Sequence, residues 1–122
     1  QMRQLGRGQE WQEALRNMAA APPAMAAYQF VFTWRTGALE AIKPLVTPEL
    51  AGDLQHLLPR GDLLQVGFDL ERKTKLSDNA WEYVVVEQLM PRSGGEQTTE
   101  RHRLRVTRSG DKWLVSEIER LN

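Results

Sequence analysis

Three side chains have the chemistry for proton transfer: the phenol of Tyr28, the carboxylate of Asp69 and the imidazole of His102. A carboxylate base faced by acidic hydrogen-bond donors can take a proton from carbon beside a carbonyl and stabilise the enolate that forms. The spacing argues against that use. Asp69 alternates away from Leu64, Val66 and Phe68, and His102 stands alone among apolar positions, the usual setting of a structural histidine. His56 and His102 are far apart, with no HxH or HExxH spacing and no acidic cluster beside them. Gly94-Gly95 fits a hairpin rather than a phosphate loop, and no serine nucleophile elbow occurs. The chain is read as having no catalytic residue, no metal site and no cofactor.

The arginines raise a different question. Arg101, Arg103, Arg105 and Arg108 stand almost in step near the C-terminus, as a nucleic-acid-binding strip would. Lys+Arg and Asp+Glu both total 16, so no global field gathers a polyanion or an anionic membrane. Glutamates spaced to pair with the ladder would repel phosphate, and nucleic acid is excluded as a partner. "ERKTK" (Glu71 to Lys75) reads as solvated charge protecting a strand end. The chain has no cysteine and no apolar run of about 18 to 20 residues, the length that crosses a bilayer.

At 122 residues the chain supports one cored domain. Trp11, Leu15 and Met18 mark a short helix over Gln9 to Ala21, a helical extension (1–21) before a domain spanning 22–122. Position 1 is not Met and no apolar signal core follows, as expected of a fragment whose signal or anchor has been removed. "AMAAYQFVFTWRTG" predicts a helix apolar around much of its circumference, stopped by Gly37. A brief helix over Leu39 to Val46 follows, then one over Pro48 to Leu58, with Thr47 as N-cap and Pro48 at the first position. From Leu63 the period becomes two, and strands follow at Trp81 to Met90, Thr98 to Arg108 and Lys112 to Leu121. Helices first and an antiparallel sheet afterwards is an α+β pattern.

A three-residue loop, Ser109-Gly110-Asp111, would set Arg103 opposite Glu117 and Arg101 opposite Glu119. The preceding hairpin would set Val84 beside Leu104. One face then holds Val84, Val86, Leu104, Val106, Leu114 and Ile118 as the core. The other collects Tyr83, Val85, Arg103, Arg105, Trp113 and Val115 with the glutamates. A one-residue slip would exchange the two faces. Arginines around an apolar, aromatic centre suit a partner surface, unless a helix of this chain covers those aromatics.

The order of elements resembles the NTF2-like superfamily, the SnoaL-like and Tim44-like cystatin-like α+β cone. The resemblance rests on the helix ending "FTWRTGALEAIKPLVTPEL" and the closing strand "DKWLVSEIERL", over roughly residues 22 to 122. It implies helices packed on a strongly curved antiparallel sheet. It also implies several roles: protein association, including bacterial envelope assemblies; ligand capture; or ketosteroid-isomerase-like and polyketide-cyclase-like catalysis. In such a cone Tyr28, Phe32, Trp34, Phe68, Val84 and His102 could line a pocket for a small apolar ligand, though aromatics between helix and sheet are more often plain core. The expectation is a non-catalytic association domain, paired with a protein partner or a second copy. It is placed at the extracytoplasmic face of a bacterial membrane and touches that membrane only through a missing anchor or a partner.

Overall fold

The computed structural model describes residues 22–122, so the predicted helix from Gln9 to Ala21 lies outside the described residues. Helix α1 (Pro22–Arg35) begins on two prolines, whose missing N–H groups fall where the first donors of a helix are unpaired anyway. It stops at Gly37, whose φ of +73° few other residues adopt and whose N–H donates to Trp34 O at 3.0 Å. The predicted helix over Leu39 to Val46 divides into α2 (Leu39–Ile42) and a 3₁₀ turn (Lys43–Leu45). Helix α3 (Pro48–Leu57) has the cap read from "TPEL": the Thr47 hydroxyl accepts from Leu50 N–H at 3.3 Å.

Four strands follow as an open antiparallel sheet in the order β1-β2-β3-β4: β1 (Leu63–Ser77), β2 (Ala80–Pro91), β3 (Thr98–Ser109) and β4 (Lys112–Arg120). "ERKTK" lies inside β1, which runs on to the turn at Asp78-Asn79. Three register shifts in β1 and one between β3 and β4 bend the sheet toward the helices. The free side of β4 is partly closed by the chain before α3, where Val46 bridges Val115 and Thr47 N–H donates to Val115 O at 2.9 Å.

The sheet register differs from the predicted one, and the partner patch changes with it. Tyr83, not Val84, pairs with Leu104, and Arg103 pairs with Glu119. The last loop has two residues, because Ser109 pairs with Lys112 across Gly110-Asp111. Parity in β2 is therefore reversed. Tyr83, Val85 and Val115 lie in the core under the helices, beside Leu104 and Val106, while Val84, Val86 and Leu114 stay outside it. Burial raises the pKa of the Tyr83 phenol to about 12. Trp113 is half-buried against the core edge, and Arg103 and Arg105 lie on the opposite face. The predicted surface of Tyr83, Val85, Arg103, Arg105, Trp113 and Val115 is thus split between two faces, and helices of this chain cover its apolar half.

From above, α1 supplies Ala27, Phe30, Val31 and Trp34 to that core, with Ile42 and Leu54 behind them. Phe32 points the other way and is 64% exposed. Leu104→Ala should lower unfolding free energy in urea by about 2–5 kcal/mol, and Phe32→Ala by less than ~1 kcal/mol. Equal losses would contradict this face assignment.

Candidate functional site

A helix that buries one face on a sheet should end in apolar residues. Helix α1 ends in Arg35, which continues the row Ala27, Val31 at a spacing of four and is 7% exposed. A buried guanidinium needs partners on every donor it can reach. Position 87 of β2 supplies them: Glu87 follows Tyr83 and Val85 on the inward side and has no exposure. Arg35 Nε donates to Glu87 Oε2 at 3.0 Å and Arg35 Nη2 to Glu87 Oε1 at 2.6 Å, a two-pronged pair. Gln65 of β1 donates to Glu87 Oε2 at 2.9 Å.

Two β3 residues complete the cluster. Arg35 Nη2 also donates to Glu100 Oε1 at 3.2 Å. His102 Nε2 lies 3.0 Å from Glu87 Oε1 and 3.3 Å from Glu100 Oε1, but neither oxygen lies along its N–H direction, so the ring nitrogen makes no aligned hydrogen bond. Desolvation alone would raise the Glu87 pKa, but contacts from His102, Arg35 and Gln65 outweigh it and hold the carboxyl at about 2. Trp34 borders the group. Its ring meets that of His102 edge-on at 5.0 Å, and its Nε1–H donates to Leu57 O at 3.0 Å, binding α1 to the end of α3.

Glu100 and His102 of the cluster form the floor of a cavity of about 230 Å³ between α3 and the ends of β3 and β4. Leu57, Leu58, Pro59 and Ile118 give it apolar walls, and His56, Arg60 and Arg120 stand at its rim. Glu87, Glu100 and His102 bring three metal-ligand atoms within 4.8 Å of one another, a grouping the sequence spacing did not reveal. Arg35 Nη2 already contacts both Oε1 atoms, so a guanidinium stands where a cation between the two carboxylates would sit.

Of the predicted pocket residues, Trp34 and His102 line this cavity. Tyr28 and Phe68 pack on each other at 5.2 Å, Phe32 is exposed, and Val84 lies on the other face of the sheet. Asp69 is exposed and pairs with Val86, away from the cavity. Gln65, Arg35, Glu87 and Glu100 were missed. A charge four residues beyond Val31 in the apolar row of α1 was the available signal.

No family model matches the chain, and no curated protein matches it. Solved structures do. An NTF-2 like protein of unknown function from Shewanella oneidensis is 15% identical with a TM-score of 0.58, over 84% of this chain and 98% of that one. A putative calcium/calmodulin dependent protein kinase II association domain from Xanthomonas campestris is 13% identical with a TM-score of 0.54, over 80% and 82%. A ketosteroid isomerase-like protein from Erwinia carotovora is 11% identical with a TM-score of 0.55, over 84% and 95%. These likenesses show an NTF2-like fold.

Because Glu87 titrates lower when folded than the usual 4.5, its contribution to stability is complete above about pH 4.5 and is lost as pH falls toward 2. In urea titrations across that range the wild-type chain should lose stability steeply, and Glu87→Gln should show a flatter dependence from a lower starting value. Parallel curves would show that the pair is not the source of the acid sensitivity.

Proposed function

We propose that this chain is a non-catalytic association domain that pairs with a second copy through the sheet face that the helices among the described residues leave open. Val84 and Val86 carry this reading: they are half-buried, stand in the middle of the inner strand β2, and take no part in the core. Further along the sheet Leu64, opposite Met90, and Val66 add exposed apolar groups at 43% and 56% exposure, while Asp69 and Arg72 stand opposite Val86 and Val84. Apolar residues at the middle of a sheet face, framed by charged pairs, are the anatomy of an interface.

The rim supports a like partner. Arg103 donates to Glu119 (2.9 Å), Glu82 (3.0 Å) and Glu117 (3.3 Å), Arg105 pairs with Glu117 at 3.1 Å, and Arg101 with Glu71 at 3.2 Å. Three arginines set against four glutamates leave this face nearly neutral, so two copies related by a two-fold axis meet without strong like-charge repulsion. A strongly basic or acidic partner would find no complementary field. The pairs are solvent-accessible and serve orientation more than affinity. Likeness to an association domain supports the same reading. In that role the chain serves as an accessory or assembly domain of a bacterial envelope-associated protein, the setting its sequence resemblance implies.

Replacing Val84 and Val86 together by Glu should shift sedimentation from dimer to monomer at micromolar concentration with unfolding free energy changed by less than ~1 kcal/mol. A wild-type monomer, or a double variant that still dimerises, would reject the proposal.

A further inference from the structure

The cavity beside the cluster lies on the helix-covered face, opposite the proposed interface, and association gives it no task. Its floor and walls suggest what it takes. Glu100 is 12% exposed, and its Oε1 is engaged by Arg35. Its Oε2 lies 3.6 Å from Arg120 Nη2, too far for a hydrogen bond, on a side chain that is 62% exposed. Beside it the 4%-exposed His102 ring has a nitrogen without an aligned partner. The floor therefore keeps unused hydrogen-bonding capacity in a setting half-lined by apolar groups.

The sign of the ligand follows from what surrounds it. In the buried cluster two carboxylates, Glu87 and Glu100, stand against one guanidinium, Arg35. The C-terminal end of α3, with its carbonyl-rich last turn, forms a wall at His56 and Leu57 and adds partial negative charge. Trp34 borders the cavity, with the Arg35 guanidinium carbon already 5.1 Å from its ring centroid. Of the rim arginines, Arg60 is held by Asp62 through bonds of 3.1 and 2.6 Å, while Arg120, whose Nε donates to Asn122 O at 3.2 Å, is the competing cation at Glu100. A carboxylate ligand would meet Glu100 and the helix end together. We propose that this cavity binds a small primary amine with an apolar body, its ammonium on Glu100 and its body against Trp34, Leu57 and Ile118. The space equals that of about seven or eight waters, which admits a single compact ring but no polycyclic ligand.

Calorimetric titration of the whole chain at pH 7 with phenethylamine, 2-phenylethanol and 3-phenylpropionate tests this directly. The amine should bind at a single site and at least about tenfold more tightly than the alcohol or the carboxylate, because only it makes a charge-assisted bond to Glu100. Glu100→Gln should weaken amine binding about tenfold and leave the alcohol unchanged. Arg120→Ala, at an exposed position, should tighten the amine by removing a competing cation. The paired Val84 and Val86 variant should bind it as wild type does, so this proposal and the association reading fail separately. A carboxylate that binds as well as the amine, no saturable amine binding, or an amine affinity unchanged in both Glu100→Gln and Arg120→Ala would overturn the proposal. If Glu100→Gln does not fold, Arg120→Ala alone is sufficient, and an unchanged or weaker amine affinity there overturns it.

Discussion

The pair between Arg35 and Glu87 joins the end of the long helix to the middle of the sheet, and much of the domain is arranged around its demands. Two opposite charges buried together lose several kcal/mol of hydration each, and their attraction offsets that only when geometry is good and remaining lone pairs are satisfied. Here the guanidinium meets the carboxylate through two bonds, Gln65 occupies a third position, and Glu100 takes the remaining reach of Nη2. Those residues come from α1, β1, β2 and β3. A structure that satisfies one buried charge has therefore fixed four elements relative to one another.

This constraint also shapes the cavity. Arg35 is held, so Trp34 before it is directed across the helix end, where its indole binds Leu57 O and its ring abuts His102. The floor is consequently polar while the walls are apolar. A second consequence falls on the other side of the sheet. With Tyr83, Val85 and Glu87 facing inward, Val84 and Val86 must face outward, and the arginines of β3 meet glutamates of β2 and β4 around them. One inward parity thus produces both a cavity and an apolar outer face.

The elements themselves were legible. Periodicity, the Thr47-Pro48 cap, Gly37 and the turn residues gave the helices and strands nearly at their observed ends, because these signals are local. The long-range choice between the two faces of β2 was not. Tyr83, Val85 and Leu89 alternate with Val84, Val86 and Met90, so both parities are apolar and a hydrophobic pattern cannot select between them. One loop residue counted too many at Gly110 moved the β3–β4 pairings by one as far as Val106, and the bulge between Arg105 and Val106 moved the rest by one more. The informative residue was Glu87: treated as a surface acid, it supports the wrong face, and treated as the partner of Arg35, it supports the observed one. Pairing a helix-terminal arginine with an acid 52 positions away requires the tertiary fold that the pairing itself helps to select.

The central claim is that the helix-to-sheet arrangement depends on the mutual satisfaction of Arg35 and Glu87 rather than on either charge alone. A double-mutant cycle of urea unfolding with Arg35→Met, Glu87→Leu and the combined variant measures this dependence. Each single variant leaves a buried charge without its partner and should cost about 3–5 kcal/mol, and the combined variant should cost less than either single one. Losses that simply add would contradict the account.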